Sequence, residues 1–182
     1  MKRLKLSLAL LTSISAGQGF AETLAAFDVA EDLTRFVYAE TQRFEDDMPA
    51  YGNAFVTQGY IYPAGTLDGG VEGTKADGSP AFPDKVIGTW TCDGYFVGQG
   101  MRTESGTFVI SRQVFQFNDG GLLITQGPEL IDNGAPVSRA VTGGTGDYAE
   151  VGSEIVQVML GMSDGYGTRL QMKLSEVSAA SK

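Results

Sequence analysis

Histidine is absent from the 182 residues, and cysteine and tryptophan occur once each, as Cys92 and Trp90. Without histidine there is no Ser-His-Asp or Cys-His catalysis, and the commonest zinc ligand is missing. Ser105, Ser111 and Ser138 therefore lack a histidine base and are not read as nucleophiles. One thiol makes no internal disulfide, so stability must come from packing. Basic residues are scarce: 13 Lys and Arg stand against 22 Asp and Glu, a net charge of −9. Such a chain repels nucleic acid and anionic lipid, and neither is expected as a partner.

What is present begins with a basic start, Lys2, Arg3 and Lys5, followed by an apolar run from Leu6 to Ile14 and then Gly19-Phe20-Ala21. This order reads as a signal peptide over residues 1–21, too short to span a bilayer, and predicts a secreted or periplasmic protein. Cleavage after Ala21 removes those three basic residues and no acidic one, taking the net charge from −9 to −12. Residues 22–32 are expected as an N-terminal extension, a short helix or loose chain. Residues 33–174 are expected as one domain and 175–182 as a frayed tail.

Glycine is plentiful, 25 residues, and punctuates short β-branched and aromatic runs. Expected strands are Thr34–Gln42, Asn53–Tyr62, Val86–Val97, Thr107–Phe117, Leu122–Thr125, Ser138–Thr142, Glu154–Leu160 and Tyr166–Leu174. The last alternates cleanly, with Leu170, Met172 and Leu174 opposite Arg169, Gln171 and Lys173. Eight strands close a small barrel just wide enough for side chains or one small ligand, a two-sheet sandwich being the alternative. Pro63 to Pro83 reads as a long loop, a candidate lid for the mouth.

Gly144-x-Gly146-x-x-Ala149 matches a dinucleotide fingerprint in form only. That fingerprint works between a strand and a helix, and here a second strand follows, so a tight glycine turn is expected. The acidic Glu45-Asp46-Asp47 reads as solvated charge; no metal site is expected. Glu40 shares strand parity with Phe36, Tyr38 and Gln42. If the aromatic face is the buried one, Glu40 is a carboxylate in an apolar interior, the setting in which functional acids arise. Cys92, on the parity of Trp90, is a small core side chain or a pocket residue.

Several of these segments resemble allene oxide cyclases. Val37-Tyr38-Ala39-Glu40-Thr41-Gln42 with Met48-Pro49-Ala50-Tyr51 is similar to their first strand, and Cys92 falls at their pocket cysteine. Gln126-Gly127-Pro128 and Thr142-Gly143-Gly144-Thr145-Gly146-Asp147-Tyr148 are similar to two further family motifs, the second shared with dirigent proteins. The resemblance runs from Phe36 to Leu174 and implies an eight-stranded antiparallel barrel, often a homo-trimer, that folds a small hydrophobic ligand in its lumen without a cofactor. It implies Glu40 and Gln42 as the catalytic pair, with Tyr38, Met48, Pro49, Cys92 and Glu129 around the substrate. Gln42 stands where the family has Asn, Met48 where it has Ser, and Glu129 where it has Tyr.

Three functional readings follow. One is an isomerase or cyclase acting on an oxylipin-like molecule. The second is a non-catalytic hydrophobic-ligand binder or dirigent-like steering protein. The third is a structural domain whose lumen is filled by its own side chains.

Overall fold

The computed structural model describes residues 25–163 and 167–174; the expected export segment and the tail lie outside them. Eight antiparallel strands form one closed barrel in sequence order, β1 (Ala26–Tyr38), β2 (Ala54–Pro63), β3 (Gly88–Phe96), β4 (Thr107–Phe117), β5 (Leu122–Leu130), β6 (Pro136–Thr145), β7 (Glu154–Met162) and β8 (Thr168–Leu174). The barrel closes where Ala26–Ala30 of β1 pairs with β8. Closure gives every strand a neighbour on both sides, although β1 beyond Ala30 extends past its pairing with β8.

Period two fills the interior. Trp90, Cys92 and Phe96 point inward from β3, and Val109, Ser111, Gln113, Phe115 and Phe117 from β4. One end is plugged by aromatic rings. Phe27 meets Phe115 and Phe117 edge-on at 5.0 and 5.3 Å, and Tyr148 stacks on Phe117 at 4.3 Å. The expected glycine turn closes this end. A Cβ on Gly144 would lie 2.0 Å from the Tyr148 carbonyl oxygen, so only glycine lets the turn press Tyr148 into the plug.

Two expectations about the chain's course are corrected. Residues 26–32 are strand, not an extension. Phe27, Val29 and Glu31 face in, while Asp28, Ala30 and Asp32 face out yet are also buried. The cover over those outward residues is the loop between β2 and β3. It does not lid the mouth; it straps the outer wall, seating Leu67 against Ala30 and Tyr62 with Phe82 alongside. Polar clasps hold it: Tyr60 and Tyr62 hydroxyls donate to the Gly78 and Gly73 carbonyls at 3.0 and 2.6 Å, and Leu67 N–H donates to Asp28 at 2.9 Å. At the other end the β1–β2 connection, residues 39–53, forms part of the rim.

Candidate binding cavity

The plug fills one half of the barrel; the half nearer the ends of β1 and β3 is left as a cavity of about 190 Å³. Its inner wall is buried: Phe55, Thr57, Trp90, Cys92, Phe96, Phe108 and Val109. Its rim is half-buried and adaptable, with Tyr38, Met48, Met101 and Met162.

Five of the seven expected site residues line this one cavity: Tyr38, Met48, Pro49, Cys92 and Glu129. Glu40 and Gln42 do not. The parity that places Phe36 and Tyr38 inward ends with β1 at Tyr38. There the buried Asn53 side chain takes over the backbone, accepting from Ala39 N–H and donating to the Ala39, Thr41 and Gln42 carbonyls at 2.7–3.0 Å. Gln42 turns through φ 53°, and both Glu40 and Gln42 emerge exposed. Gln42 borders an outer groove with Tyr51 and Gln99 instead.

The carboxyls inside the cavity are Glu31 and Glu129, 5 % and 3 % exposed. They sit in opposite environments. Glu129 is surrounded by donors. Ser111 Oγ donates to its Oε1, Gln157 Nε2 to its Oε2 at 3.2 Å, and Cys92 Sγ lies 3.5 Å away. Behind it, Arg139 is fully buried, 3.7 Å from Oε1. The guanidinium also donates to Thr125 Oγ1 and to the Gly127, Pro128 and Ser111 carbonyls. Gly127 packs closely here: a Cβ would lie 3.3 Å from the Arg139 backbone.

Glu31 is tied on one side only. Its Oε2 accepts from the Thr168 N–H at 2.7 Å and the Thr168 hydroxyl at 3.1 Å. The Thr57 hydroxyl lies beside it and favours its charge more than Thr168 does, although it completes no hydrogen bond of good geometry. Burial dominates and raises the Glu31 pKa above its ordinary value, with the Glu129 charge adding to the rise. Burial likewise pushes the Cys92 thiol well up, so it is no ready nucleophile.

Glu31, Thr57, Trp90 and Arg139 were not among the sequence-derived site residues. Phe27-x-Val29-x-Glu31-x-Leu33 carries the period-two signal, but the register of β1 shifts between Asp32 and Val37, which inverts the parity read from Phe36 and Tyr38.

Solved structures share this architecture. One pterocarpan synthase dirigent protein superposes with a TM-score of 0.59 at 15% identity, over 82% of this chain and 90% of its own. A second gives 0.56 at 13% identity, over 82% and 85%. The chain folds as a dirigent-like barrel. At these identities the likeness is one of fold. No family model matches the sequence, and no curated protein matches it. In this dirigent-like barrel, closure and the number of strands match the expectation.

Proposed function

We propose that this barrel binds one small, mostly apolar molecule in the open-end cavity and holds it in a fixed conformation, as a ligand-binding or steering protein. The supporting observation is the asymmetry of the lumen. One half is packed with rings, while the other leaves about 190 Å³ walled by aromatic and aliphatic side chains. Leaving such a volume empty costs up to about 4–5 kcal/mol at roughly 24 cal/mol per Å³. A purely structural domain gains by filling it. Apolar cavities of about 150 Å³ already admit benzene, so a one- or two-ring molecule fits here, and a longer chain would run out past Met48 and Met101.

Export before action, a homo-trimeric assembly and cofactor-free operation belong to the same reading. A second reading, an isomerase or cyclase of the allene-oxide-cyclase kind, is favoured by the two buried carboxyls at the cavity wall, because catalysis by orientation and fixed charge needs no cofactor.

Trp90 is the single tryptophan and lines the cavity, so its emission reports occupancy. Indane and 1-indanone should each change that emission saturably at one site, with matching calorimetric heat. Cys92→Phe, which fills the cavity, should abolish both signals. Absence of saturable binding by either ring up to its solubility overturns the reading.

A further inference from the structure

Glu31 has a feature the binding of an apolar ring alone does not use. Its side chain is almost wholly buried, lines the cavity, and spends Oε2 on Thr168, while no hydrogen bond reaches Oε1 among the described residues; the Thr57 hydroxyl beside the carboxyl is likewise unpartnered. Oε1 is not sealed off from the cavity that Glu31 lines, so whatever occupies the cavity, water or ligand, is its partner. Among the described residues, the cavity lining contains no Lys or Arg. Arg139, behind Glu129, is engaged by Glu129 and backbone carbonyls, and Arg169, beside Thr168 on β8, by the Val71 and Met162 carbonyls and Glu72.

We propose that Glu31, in its neutral acid form, donates a hydrogen bond from Oε1 to an oxygen of the bound molecule, and that the ligand class is therefore neutral and apolar with one acceptor oxygen, such as a ketone, enone or ether, and not a carboxylic acid. The inference rests on the binding reading and adds the chemistry of the ligand. An anionic ligand would face two carboxyl groups with no free cation to offset them. A plain hydrocarbon would leave Oε1 without a partner. A neutral acceptor satisfies it. The raised pKa of Glu31 keeps the proton available to higher pH than for an exposed glutamate. The titratable or charged groups near Glu31 are Glu129 on β5, Cys92 on β3 and Tyr38 at the end of β1, with Arg139 of β6 behind Glu129 and the outward Asp32 next in sequence.

The test compares four two-ring probes of similar size: indane, 1-indanone, indane-1-carboxylate and 1-aminoindane. Binding is followed by Trp90 emission and calorimetry between about pH 5 and pH 9. The expected result is that 1-indanone binds at least about tenfold tighter than indane at pH 5 and that the advantage fades as pH rises. The carboxylate should not bind. Glu31→Gln retains an N–H donor and should keep the ketone preference without its pH dependence; Glu31→Leu should bind both neutral rings alike. Thermal melts of each variant confirm folding. If indane and 1-indanone bind equally at pH 5, or the preference survives Glu31→Leu, the Glu31 assignment is overturned while the binding reading stands. Tighter binding of 1-aminoindane than of the ketone at pH 8 overturns it too, making Glu31 a counter-ion. If no probe binds, both readings fall.

Discussion

Replacing Arg139 should be the most damaging single change in the barrel. Its side chain is wholly inaccessible. It carries hydrogen bonds of 2.9–3.3 Å to Ser111 O, Ser111 Oγ, Thr125 Oγ1, Gly127 O and Pro128 O, besides the 3.7 Å approach to Glu129. Arg139→Met keeps much of the volume but strands Glu129 as a buried charge and leaves several acceptors unmet. Breaking one partner of a buried pair costs about 3–5 kcal/mol. For a domain of this size each kcal/mol moves Tm by about 2–4 °C, so a drop of roughly 6–20 °C is expected. Arg139→Lys retains the charge but not the planar fork and should fall between. The assay is urea unfolding followed by Trp90 emission. In the double variant with Glu129→Gln the loss should be smaller than the sum of the singles by about 0.5–3 kcal/mol, because the stranded charge is gone. A loss under about 1 kcal/mol for Arg139→Met, or strict additivity in the double variant, refutes the network as described.

Two further outcomes follow. Glu31 and Asp28 are both buried, and burial raises both pKa values. Their stabilising contribution is full below the unfolded values of about 4.3 and 3.9, and is lost as pH rises through the folded values, after which it levels off. Asp46, Asp77 and Asp132 shift the opposite way and act only in more acid solution. Glu31→Gln should therefore show a flatter stability profile than wild type between pH 5 and pH 8 and be the more stable at pH 8; identical slopes in paired urea melts count against it. Cys92, 1 % exposed with its thiol pKa pushed up, should resist iodoacetamide in the folded protein at pH 8 and react fully in urea. Labelling of the folded chain at the free-thiol rate would contradict its placement.

The strands legible in the sequence are those with one simple face. β4 runs from Thr107 to Phe117 as its alternation predicts, because Val109, Ser111, Gln113, Phe115 and Phe117 point inward and Arg112 and Gln116 outward to solvent. β1 is illegible for the opposite reason. Both of its faces are covered, one by the barrel and one by the strap, and both carry acids, so Asp28, Glu31 and Asp32 erase the alternation. The strap itself has few apolar anchors; it is held by tyrosine hydroxyls and backbone groups that composition does not show. Around the cavity, Met48, Pro49, Cys92 and Glu129 were reached through a resemblance of motifs. Glu40 was misplaced because the parity rule holds only inside a strand, and Asn53, fourteen residues from Ala39, ends that strand. A side chain that distant in sequence leaves no local signal.

The two carboxyls divide labour because they are anchored by different parts of the barrel. Gln113 Nε2 donates to Gln157 Oε1 at 2.9 Å, and Gln157 Nε2 donates on to Glu129 Oε2. With Ser111 and Arg139 this chain recruits β4, β5, β6 and β7, four of the eight strands, to orient one carboxyl. A polar layer of this kind stabilises less than an apolar one of equal volume, and its gain is conformational specificity. Here it lies between the aromatic plug and the cavity, so it sets the depth to which an apolar ligand descends: further entry would press the ring against buried polar atoms. Glu31 comes from the bulged β1 and is held by Thr168 of β8, outside that layer, and keeps one oxygen unspent. The fixed carboxyl thus defines where the cavity ends, and the unspent one defines which ligand atom can sit there.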